Sequence, residues 1–178
     1  MIDEILKSKC KKIKMVITDI DGVLTDGGMY YSENGDELKK FNVRDGVGVI
    51  LLKLAGLKVG AITGELTELV QRRIDKIKMD FVFRGVRDKL SCLKQCLKDY
   101  DITCEEVAYI GDEINDYCLF GNVGLFICPA DANPVIKEKA DLVLQSKGGE
   151  GVLREAAALL LKNQSKLMSA MDKYLSNN

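Results

Sequence analysis

Residues 13–25 read IKMVITDIDGVLT, and this stretch decides the fold. The apolar run at its start is typical of a strand that is buried on both faces, as in a parallel sheet. Asp19 and Asp21 follow that run two residues apart, so on a regular strand both side chains face the same side. The turn residues Gly22 and Asp26-Gly27-Gly28 come next. We therefore expect the two aspartates at the point where the strand ends.

Carboxylates at the end of a buried strand need a positive partner, because burying them unpaired is costly. Magnesium prefers one or two carboxylates together with water and phosphate oxygens. The sequence therefore predicts a Mg²⁺ ion beside Asp19 and Asp21.

The bulk composition predicts an ordinary globular protein. A length of 178 residues favours a single domain spanning residues 1–178, and a net charge of -1 gives no sign of nucleic-acid binding. The N-terminus does not resemble a signal peptide, and no apolar run approaches the roughly 20 residues that cross a membrane. The six cysteines include no C-x-x-C pair, which favours buried thiols in a reducing cytoplasm. We expect a cytoplasmic protein with no nucleic-acid or membrane partner.

The chain contains no histidine. This excludes Ser-His-Asp and Cys-His catalysis and zinc sites with histidine ligands. Acid–base chemistry must therefore fall to carboxylates, lysine, tyrosine or cysteine.

Apolar runs alternate with helix-like segments along the chain. This alternation predicts an α/β fold: a three-layer, Rossmann-like parallel sheet with helices on both faces. The predicted strands are 13–20, 57–63, 81–83, 107–111, 124–128 and 142–144. The predicted helices are 47–55, 66–77, 89–99, 115–119, 135–139 and a C-terminal helical tail over 152–176, which begins as one helix that runs on to about residue 174.

A β-hairpin over 28–41 interrupts the alternation directly after the first strand. Its turn contains Asn34-Gly35, a strong hairpin signal because both central positions of such a turn need positive φ. The hairpin either overhangs the aspartates or is an ordinary edge hairpin.

Polar residues also follow two other predicted strands. Thr63, Gly64 and Glu65 follow the second, and Asp112 and Asp116 follow the fourth. Ligands of open α/β sheets bind outside the carboxyl ends of the strands, so these groups are expected to meet the aspartate pair. Each cluster alone also fits a helix N-cap. Lys89, at the start of a predicted helix, is either a phosphate ligand at the same edge or a solvated surface lysine.

Asp-x-Asp-Gly-Val-Leu-Thr at 19–25, a strand ending in Thr-Gly, a helix-opening lysine and Gly-Asp-x-x-Asn-Asp at 111–116 together resemble the haloacid dehalogenase superfamily of phosphatases. The resemblance implies that Asp19 is the nucleophile and Asp21 the general acid/base. It implies phosphate binding by Thr63, the Gly64 amide and Lys89. It further implies a Mg²⁺ site formed by Asp19, the Asp21 carbonyl and Asp112, with Asp116 supporting it directly or through water.

The spacing of the motifs leaves no room for a cap domain. A capless chain with this hairpin, with Phe41-x-x-Arg44-Asp45-Gly46 after it and with the glycine-rich segment 147–155, resembles the phosphatases of 3-deoxy-octulosonate 8-phosphate and of nine-carbon 9-phosphates. That resemblance implies a homotetramer in which neighbouring subunits complete each active site. The tail after residue 154 is expected to pack on the domain's own face or on such a neighbour.

The substrate is expected to be a phosphorylated 2-keto-3-deoxy sugar acid, and Glu65 favours the nine-carbon acid because octulosonate-type relatives tend to carry arginine there. The substrate-binding candidates are Glu65, Arg73, Lys76 and Arg44. The alternatives are octulosonate 8-phosphate as substrate, a phosphotransferase or mutase, and a non-catalytic assembly domain like those appended to sugar-nucleotide synthetases.

Overall fold

The computed structural model describes residues 4–33 and 37–176. The strands are β1 Met15–Thr18, β2 Tyr30–Tyr31, β3 Glu37–Leu38, β4 Lys58–Ile62, β5 Phe81–Phe83, β6 Val107–Ile110, β7 Leu125–Cys128 and β8 Leu142–Val143. The helices are α1 Glu4–Lys12, α2 Val43–Leu54, α3 Glu68–Ile77, α4 Lys89–Tyr100, α5 Pro134–Lys139, α6 Val152–Asn163 and α7 Leu167–Ser176. Short 3₁₀ helices span Cys104–Glu106 and Ile114–Leu119.

Six strands form one parallel sheet in the order β5-β4-β1-β6-β7-β8. The first strand lies at its centre, where residues 15–18 pair with 58–61 of β4 and with 107–110 of β6. The chain fills one side of β1 first and then the other. The carboxyl ends of β1, β4 and β6 therefore lie together at the point where the strand order reverses, which is where open α/β sheets bind ligands.

Helices cover both faces of the sheet. Val16 belongs to the apolar cluster that includes buried residues of α2, α3 and α6, whereas Met15 and Ile17 belong to the cluster that includes buried residues of α4 and α5. This alternation explains the unbroken apolar sequence of β1, since both of its faces are buried. The three-layer α/β prediction is confirmed, and no cap domain occurs among the described residues. None of the helices in residues 4–33 and 37–176 has the length and apolar character of a membrane span.

The hairpin consists of β2 and β3, with Tyr30 paired with Leu38. A further bridge between Thr25 and Phe41 closes its base. The predicted Asn34-Gly35 turn lies outside the described residues.

The helical tail differs from the prediction in that it is broken. Helix α6 ends at Asn163, and Ser165 adopts a left-handed conformation (φ 56°) before α7 begins. Ala170 of α7 is buried, and Met171 packs against the core beside α2 and α6. The prediction of one helix to about residue 174 is therefore wrong, and α7 packs on its own domain.

Most other elements differ from the predicted boundaries by one or two residues, and three differ in more important ways. Helix α1 was not predicted, and β1 is shorter than 13–20 at both ends. Helix α2 starts four residues earlier than predicted, because the Asn42 side chain accepts a hydrogen bond from the Arg44 N–H and caps it. Gly48 weakens the helix signal of this segment of the sequence. A glycine is needed at this position in α2, because a Cβ would lie 3.0 Å from Arg154 Cα on α6.

Asp45 connects α2 to α6. Its Oδ1 accepts the Arg154 N–H at 3.0 Å, and Gly151, the residue before α6, makes no side-chain cap. A buried carboxylate on one helix thus caps the N-terminus of another. Burial raises the pKa of Asp45 to about 6, although the Arg154 N–H and the Arg73 charge favour its ionised form.

This raised pKa predicts a pH-dependent contribution to stability. An unfolded aspartate has a pKa of about 3.9, so ionisation disfavours the folded state. The contribution of Asp45 is therefore complete below about pH 4 and is lost as pH rises through about 6, by up to about 3 kcal/mol. Asp45→Asn keeps an oxygen acceptor but cannot ionise. We expect the free energy of unfolding of the wild type, relative to this variant, to fall by that amount between pH 4 and pH 7 in urea titrations.

The control variant is Asp172→Asn, which changes an exposed aspartate of α7. This variant measures the effect of the same substitution at an exposed position. A difference between Asp45→Asn and the wild type that stays constant from pH 4 to pH 7 would contradict the raised pKa.

Candidate active site

Asp19 is the first residue beyond β1. Its N–H still donates to the Ile110 carbonyl of β6 (2.8 Å), so the side chain is fixed at the sheet edge. The residue is 4% exposed, and its Oδ1 accepts the Ile20 N–H at 2.7 Å. Burial and the nearby charge of Asp116, against the opposing effect of Lys89, raise the pKa of Asp19 to about 7.

Lys89, the first residue of α4, lies between two of the carboxylates. Its Nζ is 2.9 Å from Asp19 Oδ2 and 2.6 Å from Asp116 Oδ1, and the residue is 2% exposed. Burial lowers its pKa, but the two carboxylates outweigh burial and raise the pKa above its ordinary value. Lys89 is therefore a buried cation facing the candidate nucleophile, and the surface-lysine alternative is wrong.

Tyr109 of β6 completes this group. Its hydroxyl donates to Asp116 Oδ1 at 2.7 Å and accepts from Lys89 Nζ at 3.3 Å. Sequence reasoning did not identify Tyr109. The available signal was a tyrosine in a strand buried on both faces, since a buried hydroxyl requires a hydrogen-bond partner.

Asp112 and Asp116 lie in the turn after β6. Asp116 Oδ2 accepts the Asp112 N–H at 3.1 Å, which fixes the turn. Asp112 approaches the loop after β1 so closely that a Cβ on Gly22, which has φ 76°, would lie 2.0 Å from Asp112 Oδ2. Burial raises the pKa of Asp112 to about 8, and the charges of Asp19 and Asp116 add to this effect.

The carboxylates fit a magnesium ion. One oxygen from each of Asp19, Asp112 and Asp116 lies within 4.8 Å of the others. Asp112 Oδ1 is buried and has no hydrogen-bond partner, so a ligand position is available. Lys89 is the one cation that contacts this group of three carboxylates among the described residues, so formal negative charge exceeds positive charge here. An all-oxygen donor set of carboxylates is the type that Mg²⁺ prefers.

A small cavity opens above Asp19. Its volume is about 140 Å³, and its lining residues are Asp19, Asp21, Thr63, Gly64, Glu65 and Asn115. Pockets that enclose a whole drug-sized ligand begin at roughly 300 Å³, so this cavity suits a phosphoryl group with the rest of the molecule outside. Thr63 follows β4 and is buried, and its hydroxyl accepts the Glu65 N–H at 3.2 Å. Asn115 was not among the predicted site residues.

Asp21 lies at the mouth of this cavity and is paired with Lys39 from the hairpin base. Lys39 Nζ donates to both carboxylate oxygens, at 2.8 and 2.7 Å, and the Thr25 hydroxyl donates to Oδ1 at 3.2 Å. Nothing in the sequence distinguishes Lys39 from the adjacent Lys40, so the pair was not predicted.

The glycine-rich segment after β8 supports the loop that carries Asp21. The Gly149 N–H donates to the Val23 carbonyl at 3.0 Å, and the Asn42 side chain donates to the Gly149 carbonyl at 3.1 Å. A Cβ on Gly148 would lie 2.3 Å from the Gly22 carbonyl oxygen. Within one chain, this segment therefore packs against its own active-site loop.

Three predicted substrate-binding residues are not in the cavity. Arg73 donates to the Asn42 carbonyl at 2.6 Å and lies over the Phe41 ring, 5.6 Å from its centroid. With Lys76 it borders a separate groove between α2 and α3. Arg44 is exposed near the start of α2. The chain brings together the predicted catalytic, phosphate and metal residues and Glu65, but not these three basic side chains.

Residues 62–155 match the haloacid dehalogenase-like hydrolase family. The 3-deoxy-D-manno-octulosonate 8-phosphate phosphatase of Escherichia coli K12 is 39% identical over 163 residues, which are 92% of this chain and 87% of that protein.

Solved structures agree with this result. A haloacid dehalogenase superfamily hydrolase from Legionella pneumophila superposes with a TM-score of 0.94 at 38% identity, covering 97% of this chain and 94% of that one. The octulosonate 8-phosphate phosphatase of Moraxella catarrhalis, crystallised with magnesium, phosphate and KDO, has a TM-score of 0.92 at 32% identity and covers 98% and 99%. The chain therefore belongs to the haloacid dehalogenase-like hydrolase family, within which it is an enzyme of the phosphatase group.

Proposed function

We propose that the protein is a Mg²⁺-dependent phosphomonoesterase that removes the terminal phosphate of a 2-keto-3-deoxy sugar acid through an aspartyl-phosphate. The observation that carries this proposal is the position of Asp19, which lines a phosphate-sized cavity with Thr63 and Gly64 and contacts the buried Lys89.

Asp19 acts as the nucleophile that attacks phosphorus. A carboxylate and a phosphate monoester repel each other, by about 4 kcal/mol for unit charges at 4 Å and an effective dielectric near 20. Lys89 reduces this repulsion because its ammonium group already lies 2.9 Å from the nucleophile. Thr63 and the Gly64 amide hold the phosphoryl oxygens as charge develops on them.

Asp19, the Asp21 carbonyl and Asp112 hold Mg²⁺, with support from Asp116. When bound, the ion supplies the positive charge that the acidic cluster needs and stabilises the charge on the phosphoryl oxygens.

Asp21 acts as general acid and base. It lines the same cavity as Asp19 but is less buried, as a group that serves the departing oxygen should be. It donates a proton to that alkoxide and then accepts one from the water that hydrolyses the aspartyl-phosphate.

The relatives favour 3-deoxy-D-manno-octulosonate 8-phosphate as the substrate, because the curated relatives carry that name and one solved neighbour contains KDO. A nine-carbon 9-phosphate is the second candidate. It is supported by Glu65, which lines the cavity mouth where octulosonate-type relatives tend to carry arginine. A carboxylate there accepts hydrogen bonds from sugar hydroxyls.

Steady-state kinetics on purified eight- and nine-carbon keto-acid phosphates tests this proposal. We expect Mg²⁺-dependent phosphate release with kcat/KM for one of these acids at least about tenfold above that for simple sugar phosphates, a difference of about 1.4 kcal/mol. A higher kcat/KM for the nine-carbon acid would select the second candidate. Equal rates on unrelated monoesters would contradict a sugar-acid phosphatase.

Asp112→Asn tests the metal site. Removing one anionic ligand should raise the Mg²⁺ concentration for half-maximal activity by about tenfold or more, and calorimetric Mg²⁺ titration should show the same shift. The matched control is Glu113→Gln, which changes the adjacent exposed carboxylate. The site assignment is contradicted if both variants bind Mg²⁺ like the wild type.

We also propose a cytoplasmic homotetramer in which a neighbour completes each site. The support is the small cavity, together with Arg73 and Lys76, which border a groove away from their own Asp19. The six free cysteines support the location.

Sedimentation equilibrium should give four times the chain mass of 19.7 kDa. Lys76→Ala should weaken turnover of the sugar acid, and mixing and reassembling it with inactive Asp19→Asn subunits should restore part of the activity. A monomer, or no gain on mixing, would show that each chain works alone.

A further inference from the structure

Lys39 and Lys40 are adjacent in the hairpin base but differ completely in environment. The Lys39 side chain is 0% exposed, and its Nζ contacts both oxygens of Asp21. The Lys40 side chain is 62% exposed and pairs with Asp26 at 3.3 Å. Burying a lysine is costly unless the geometry of its ion pair is good. Lys39, unlike Lys40, is therefore buried in a position that its contact with Asp21 stabilises.

The hairpin base holds Lys39 firmly. Two residues further on, Phe41 bridges to Thr25, and Asn42 then caps α2. The Thr25 hydroxyl also donates to Asp21, so the same bridge positions both donors of this carboxylate. The segment that carries Lys39 is therefore bridged to the loop that the Lys39 side chain contacts, and this bridge fixes the two segments relative to each other.

Lys39 is also close to a second acidic side chain that lines the cavity. Its Nζ lies 4.0 Å from Glu65 Oε2, in addition to its contacts with Asp21. Without this cation, the two carboxylates would repel each other, and Asp21 would turn outwards to solvent.

We propose that Lys39 is a positioning residue for Asp21: it fixes the plane of the carboxyl group at the cavity mouth, where the leaving oxygen departs. This inference rests on the proposed role of Asp21 as general acid. Lys39 itself does not line the phosphate-sized cavity. Its loss should impair the two proton transfers of Asp21, of which kcat/KM reports only the one to the departing oxygen.

The test compares two leaving groups. The sugar-acid phosphate releases an alkoxide that must be protonated, whereas p-nitrophenyl phosphate releases a phenolate that departs without a proton. The parameter kcat/KM reports on the steps up to this departure, so later hydrolysis of the aspartyl-phosphate does not affect the comparison. Lys39→Met keeps the length of the side chain and removes its charge.

We expect Lys39→Met to lower kcat/KM for the sugar-acid phosphate by about 100-fold, at the low end of general acid catalysis, and that for p-nitrophenyl phosphate by less than about threefold. Asp21→Asn should give the same selective pattern with a larger loss. Lys39→Arg should restore part of the activity, and Lys40→Met should match the wild type on both substrates.

Circular dichroism and thermal unfolding verify the folding of each variant. Lys39→Gln, which keeps one donor, serves if the methionine variant does not fold.

Equal losses on both substrates would overturn the inference and assign Lys39 to phosphate binding or to structure. Wild-type activity in Lys39→Met would overturn it as well. The failure of the proposed function is distinct, because it would appear in the wild type, which would then hydrolyse neither phosphate or would hydrolyse unrelated monoesters equally well.

Discussion

The active site depends on one buried cation shared between two carboxylates. Lys89 lies 2.9 Å from Asp19 and 2.6 Å from Asp116, and none of the three is appreciably exposed. Removing one partner of such a group leaves an uncompensated buried charge, which typically costs about 3–5 kcal/mol. This network also joins β1, β6 and α4 at one edge of the sheet. The arrangement around the candidate nucleophile is therefore also what holds the three elements together there.

The excess of negative charge in the acidic cluster favours the binding of a cation. One lysine does not balance three carboxylates, and burial together with this repulsion raises the pKa values of Asp19 and Asp112. A divalent cation and a phosphate oxygen complete the set. The folded protein thus holds a group of carboxylates that is unfavourable without a bound cation and favourable with bound magnesium. Because magnesium binds the folded state, its binding increases the free energy of unfolding.

Much of the site was predictable because topology determines it. Once the runs that became β1, β4 and β6 are recognised as parallel strands, the residues after them must meet at one edge, whatever their separation in sequence. Asp19, Thr63 and Asp112 follow from that rule. Lys39 and Tyr109 do not, since their roles depend on which side chains become buried. The basic residues Arg73 and Lys76 lie on a helix as predicted, but the direction they face depends on the packing of α3 against α2, which places them at a separate groove. The break at Ser165 was hidden because apolar spacing continues across it.

The contact between Gly149 and Val23 has a consequence for the order in which the enzyme matures. The loop carrying Asp21 leaves the ribosome well before Gly149, which is one of its supports. A nascent chain that extends only to about residue 100 contains Asp19 but lacks β6, the acidic turn and this glycine support. The complete site therefore forms only after β6 and the glycine-rich segment have been synthesised and have docked.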